Sequence, residues 1–205
     1  MSQELDKKKI QEIRRLIPQL VQEGLISRKE ENKRLVEFYL TLSEEALNSS
    51  RVVYKVSTDE EMAKLVGVSD FNGFVWVINP AYYSMFYAAN ALLSSSGIKI
   101  CSEIGIHKLT FQAFVYYFYL TGKISAKYVQ EFLEEQESAE EILGKERAIK
   151  EAEQKAKELV LHLELEREKR TFFTYGLEKF RIENKAKTSL ERASNFYKEI
   201  KKLLM

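Results

Sequence analysis

The chain has 205 residues, 45% of them apolar and 31% charged, and 32 basic against 31 acidic side chains leave a formal net charge of +1. That length suits one substantial domain, and the balance excludes a strongly basic nucleic-acid module or an acidic disordered tail while leaving room for a local basic surface. One cysteine excludes a disulfide framework and a thiolate metal cluster, and no run reaches the roughly eighteen apolar residues that a membrane span needs.

The opening MSQELDKKKIQEI has no apolar core of signal-peptide length. The expected setting is therefore cytoplasmic and away from membranes, with Cys101 a reduced, half-buried thiol. Abundant Lys, Glu and Arg beside two histidines and one cysteine suit a thermophile.

In chain order, Leu5 to Glu23 places Ile10, Ile13, Leu16, Ile17, Leu20 and Val21 at helical spacing, with Pro18 as a kink and Gly24 as the stop. Ser27 with Glu30 forms a capping-box pattern and opens a helix to about Tyr54, with Leu35, Phe38, Tyr39, Leu42, Ala46 and Leu47 as its stripe. From Lys55 to Ile78 the periodicity breaks. Ser57 with Glu60, or Thr58 with Glu61, would cap a short helix through Leu65, and Gly67 and Gly73 would bracket a loop that includes Trp76 and leads into the next stretch.

Asn79 to Gly97 is the most apolar stretch. Asn79 suits an N-cap, Pro80 a first helical position, and Gly97 a left-handed stop. Tyr82, Met85, Phe86, Ala89, Leu92 and Leu93 form one stripe, and Tyr83, Tyr87, Ala88 and Ala91 leave almost no polar face. Such a helix belongs inside a bundle or at a seam between subunits. The expectation is that Ala88 and Ala91 face a two-fold neighbour.

A connector, IKICSEIG, precedes an aromatic helix from about Ile106 to Leu120 that ends at Gly122, with Tyr116 to Tyr119 read as core. Ser125 caps a further helix with Tyr128, Val129, Phe132 and Leu133 inward. Glu134 to Arg170 is highly charged, with Ser138 and Glu141 as another capping box. Its paired signs (Glu146 with Lys150, Glu151 with Lys155, Glu166 with Arg170) read as a solvated helix or helical hairpin that is weakest at Gly144. A last helix is expected after Thr188, boxed with Glu191, with Ala193, Phe196, Tyr197, Ile200, Leu203 and Leu204 inward. The fold expected is all-α: an antiparallel up-and-down bundle of five to six helices with a charged helical insertion, in one domain spanning 1–205. Residues 1–26 would be an N-terminal extension and 134–169 the charged one.

Several chemistries are absent from the sequence. There is no Gly-rich phosphate loop, HExxH, GxSxG or CxxC. His107 and His162 are too few for a zinc site, and Ile104 and Leu159 stand where a di-iron Glu-x-x-His pattern would need glutamate. No metal and no cofactor is expected.

Four segments taken together, YYSMFYAANALLSSSGI, IHKLTFQAFVYYFYLTGKI, REKRTFFTYG and TSLERASNFYKEIKKLL, resemble the HEPN superfamily of prokaryotic helical-bundle proteins. The resemblance rests on Tyr82, Tyr83, Phe86, Ala88, Ala89, Ala91, Leu92, Leu93 and Gly97. It continues through the His107–Lys108 pair, Gly122, Arg170 with Tyr175, and Ala193, Phe196 and Ile200, and covers roughly Arg28 to Leu204 without the charged insertion. It implies a homodimer along core helices and, in active members, an Arg-x4-6-His motif that cleaves RNA without a metal.

Here Arg170 is followed at that spacing by Tyr175, not histidine. Tyrosine, with a pKa near 10, is a poor base at neutral pH, whereas an arginine still holds a phosphate by a bidentate contact. The resemblance therefore implies an RNA or nucleotide binder with weak or no catalysis, using Arg170, Tyr175, His107 and Lys108. Its alternatives are a metal-free toxin–antitoxin or defence endoribonuclease with Arg170 and Tyr175 catalytic, and a non-enzymatic module that docks a small nucleotidyltransferase.

Overall fold

A computed structural model of the chain describes residues 7–159 and 167–205, with the side chains of residues 143 and 145–181 outside the description. The architecture is an all-α bundle. Among the described residues it contains α1 (Lys7–Gln22), α2 (Lys33–Thr58), α3 (Glu60–Leu65), α4 (Phe74–Ser95), α5 (Ile106–Phe114), α6 (Ala126–Leu159) and α7 (Arg167–Leu204). Two three-residue strands, β1 (Ile26–Arg28) and β2 (Ile98–Ile100), pair antiparallel with Ile26 opposite Ile100. No described helix is long and apolar enough to cross a membrane.

The apolar stretch is the axis, but α4 starts at Phe74, five residues before the expected Asn79 cap, and Pro80 lies inside it. FVWVI, with the Trp76 expected in a loop, is the first turn of this helix. Burial decides it. Phe74, Val77 and Ile78 are buried against Ala186 of α7, with Val53, Tyr54 and Ile182 around them, and that contact holds the extra turn. Gly73 is the N-cap, and its N–H donates to Ser57 Oγ at 2.9 Å.

Ala88 and Ala91 are both fully buried within the single chain. Helices α2, α5, α6 and α7 all pack on α4, so the two-fold seam expected at these alanines is already occupied by the protein's own bundle. The expected inward residues Tyr82, Met85, Phe86, Ala89, Leu92 and Leu93 are buried.

α2 packs along α4 by an unexpected face. Ser43, Leu47 and Ser50 are its buried residues, at four- and three-residue spacing, while Phe38 from the expected stripe is 55% exposed. Hydroxyls replace apolar groups at this seam: Ser43 Oγ donates to Ser84 O at 2.8 Å and Ser50 Oγ to Val77 O at 2.9 Å. Small side chains permit the close approach, and each hydroxyl finds an acceptor. Asn32, not Ser27, caps α2, accepting from Leu35 N–H at 3.1 Å, and Ser27 is instead consumed by β1. Asp59 caps α3 in place of Ser57 or Thr58.

The remaining core is aromatic. Phe114, Phe132 and Phe196, from α5, α6 and α7, meet with ring centroids 5.4–5.7 Å apart. Pairs of this kind contribute about 0.5–1.5 kcal/mol each beyond burial. After Phe114 the helix loosens into a π-turn over Val115–Tyr119. The extra residue per turn keeps Val115 and Phe118 buried and leaves Tyr116, Tyr117 and Tyr119 half-exposed, so the expectation of an all-core aromatic run holds only in part. Arg28 stacks over Tyr117 at 5.3 Å.

α6 is continuous from Ala126 through Gly144, and α7 already runs upstream of Thr188, so neither the Ser138 nor the Thr188 capping box starts a helix. Leu203 is exposed, and so is Cys101, whose Sγ lies 3.3 Å from Ser27 Oγ. His162 and the pairs at 146–155 and 166–170 lie outside the described side chains.

Gly97 and Gly122 both sit at positive φ, but only Gly97 is crowded. A Cβ there would stand 2.0 Å from Lys29 O, while nothing lies within 4 Å at Gly122. Gly97→Ala is therefore expected to destabilise by about 2 kcal/mol or more and Gly122→Ala by about 1 kcal/mol. Urea unfolding of the two variants tests the order, and equal losses would contradict the packing described.

Candidate functional site

Two of the four residues nominated by the sequence have described side chains and two do not. Arg170 and Tyr175 fall on the backbone of α7, but their side chains lie outside the described residues. His107 and Lys108 open α5 immediately after Gly105, whose φ of +67° turns the chain into the helix. Lys108 is exposed, and His107 is half-buried.

His107 is held by α4. The Tyr82 hydroxyl lies 2.8 Å from His107 Nδ1, and the imidazole packs 4.5 Å from the Phe86 ring, with Tyr83 edge-on at 5.7 Å. Burial lowers the His107 pKa from its usual value, and the nearby Glu140 carboxylate offsets part of that. Tyr82 is displaced the opposite way: burial first, then Glu140 and Tyr83, raise its phenol well above the usual tyrosine range. Both groups are therefore neutral near pH 7. In the Nε2–H tautomer, Nδ1 accepts from the Tyr82 hydroxyl and no ring lone pair is left to take a proton. This arrangement orients a histidine more than it activates one.

A second cluster, between α6 and α7, was not singled out from the sequence. Arg192 donates to Glu135 Oε1 at 2.9 Å and to Glu134 Oε2 in a close ion pair. Burial opposes the guanidinium charge, but the hydrogen bonds and charges of Glu135 and Glu134 outweigh it and hold the Arg192 pKa above its usual value. Glu131, one turn before, has its carboxyl raised by burial, against the pull of Lys127 and Arg192.

The cluster borders a cleft of about 380 Å³, whose walls also carry Glu137, Glu141 and Lys185. Lys185 pairs with Glu141 at 2.9 Å. Glu135 is 1% exposed, and its Oε2 has no hydrogen-bond partner among the described residues. No group of three or more His, Cys, Asp or Glu among the described residues is placed to hold a metal ion. The available signal was an arginine, Arg192, at an apolar-spaced helix position beside Ala193, with the Glu134–Glu135 pair one turn past Phe132. Read alone, each looked like solvated surface charge.

The His107 displacement has a definite sign. An unfolded histidine binds a proton near pH 6.5 and the folded one only lower, so the unfolded state takes up more protons as pH falls. The stabilisation is present above about pH 6.5 and is lost as pH drops from there through the depressed folded value. Glu140→Gln should lower the His107 midpoint further, because it removes the one raising influence. NMR titration of the ring protons checks this, and an unchanged or higher midpoint would refute the assignment of Glu140. Tyr82→Phe, which leaves Nδ1 half-buried without its donor, should cost about 1–2 kcal/mol in thermal or urea unfolding.

Compared with known proteins, the chain matches no family model, no curated protein and no solved structure.

Proposed function

We propose that the chain is a HEPN-like protein that binds RNA or a nucleotide as a homodimer, with weak or no catalysis. One observation carries the reading. Two pieces of the resemblance, 25 residues apart, meet in space, with Tyr82 and Phe86 of the YYxxF helix packed on His107 of the His-Lys pair. Weak catalysis follows from the proton chemistry. His107 spends Nδ1 on Tyr82, and Tyr175 replaces the histidine that an active Arg-x4-6-His motif requires. Arg170 would supply the phosphate contact and Lys108 an exposed charge beside it in function.

The second copy in this reading needs a face other than Ala88 and Ala91. Six of the eleven large apolar side chains exposed among the described residues lie between residues 62 and 76, including Leu65 at 83%, Val66, Val68 and Trp76 at 57%. That stretch also favours the second reading, a docking module for a partner such as a small nucleotidyltransferase.

Fluorescence anisotropy with a labelled single-stranded RNA, alongside a gel assay for cleavage, separates the readings. Wild type should bind in a salt-dependent way without cutting, and Arg170→Ala should weaken binding by about tenfold. Cleavage that disappears in the Arg170 variant would replace this reading with the ribonuclease one; absence of binding would leave the docking module. Light scattering should give twice the chain mass for wild type and a folded monomer for Leu65→Glu with Trp76→Lys. Ala88→Lys, by contrast, should unfold the chain.

A further inference from the structure

We propose that the face formed by α1, the β1–β2 pair and the π-turn is a second contact surface for single-stranded RNA. Such a face rests on the RNA reading proposed above but uses none of the residues named there.

The first observation is charge. Residues 7–31, 98–103 and 115–125 carry nine lysines and arginines against five glutamates, although the chain as a whole is only +1. These segments adjoin, because α1 packs on both β1 and the π-turn. Lys7, Lys9, Arg14, Arg15, Lys29 and Lys99 are exposed, and no carboxylate among the described residues pairs with any of them. Four of the five glutamates lie in the turns that border these elements, and only Glu12 stands among the cations of α1.

The second observation is aromatic and independent of the charge count. The π-turn leaves Tyr116 and Tyr117 half-exposed, with their rings in edge contact at 5.0 Å, and the Arg28 guanidinium lies 5.3 Å from the Tyr117 ring. Neither hydroxyl has a hydrogen-bond partner among the described residues. π-Turns sacrifice helical regularity and recur at functional sites. This one sets two rings beside a planar cation on a basic surface.

The chemistry selects the occupant. A phosphodiester strand supplies the anions that the exposed cations lack, and its bases offer flat faces to tyrosine rings and a guanidinium. Those faces are open in a single strand and covered in a duplex, and the two tyrosine hydroxyls are suited to ribose 2′-hydroxyls. A lipid surface is disfavoured, since insertion needs an exposed apolar face and α1 has Ile13, Ile17 and Leu20 buried in its own bundle.

The test is fluorescence anisotropy with a short labelled single-stranded RNA over a series of salt concentrations. Tyr117→Leu, which keeps the apolar bulk, should weaken binding by about tenfold. Arg28→Gln should weaken it several-fold and lower the slope of log affinity against log salt by about one. Arg14→Gln with Arg15→Gln should lower the slope by about two. The same losses should appear in an Arg170→Ala background, and circular dichroism verifies that each variant is folded.

Wild-type affinity in the folded Tyr117 and Arg28 variants, with binding lost in Arg170→Ala alone, would overturn this face and leave the Arg170 reading standing. The opposite pattern would support the face and remove Arg170 from RNA contact. No binding of the RNA by wild type would overturn both. Duplex RNA or polyphosphate held as tightly as the single strand would also overturn it, marking a plain electrostatic surface. So would sedimentation with phosphatidylserine vesicles that Arg28→Gln abolishes while RNA does not bind, since that outcome marks a membrane-facing surface.

Discussion

The fold depends on the seam where α2 lies along α4. Backbones approach closely there because Ser43, Ser50, Ser84 and Ala81 are small, and the hydroxyls of Ser43 and Ser50 discharge on α4 carbonyls. With that side of α4 closed, α5, α6 and α7 pack on other parts of it, and the Phe114–Phe132–Phe196 contact fastens them to one another. Ala88 and Ala91, fully buried within the chain, cannot reach a second subunit. The second copy of the proposed dimer would need another face of the bundle.

α6 is the wall shared by two chemically opposite environments. Glu140 faces the neutral Tyr82–His107 pair, where burial and aromatic rings suppress charge. Glu141, the next residue, pairs with Lys185 across the acidic cleft, where charge is concentrated. Consecutive positions on a helix point about 100° apart, which is enough to put two regimes on one element. The inner end of α6 makes the contrast sharper. Phe132 belongs to the aromatic core, and Glu134 and Glu135 follow immediately as partners of Arg192.

What could be read from the chain follows from how directly each residue reports its surroundings. The all-α class, the inward stripes of α1 and α4, and the turns at Gly24, Gly97 and Gly122 were legible, because periodicity and positive-φ glycines are local signals. Boundaries were less so. Ser27, Ser138 and Thr188 each carry a capping pattern, yet the first pairs in a strand and the other two lie within helices, since tertiary packing outweighs a cap's modest contribution. Pro80 misled in the same way, as one lost hydrogen bond is outweighed by the burial of Phe74, Val77 and Ile78. Of the site, His107 was recognised but its lock on Tyr82 was not, because Tyr82 read as core. Arg192 with Glu134 and Glu135 was hidden by sequence distance, since charges 57 and 58 residues apart give no local sign of their meeting.

The β1–β2 pair has a consequence for the order of assembly. This pair joins residues 26–28 to residues 98–100. Lys29 N–H and Cys101 N–H add bonds to Gly97 O and Leu25 O at its two ends. Its register exists only once α4 has reached Gly97 and turned. α1 is therefore latched from the far end of a completed α4, so its docking is a long-range closure that waits on that helix.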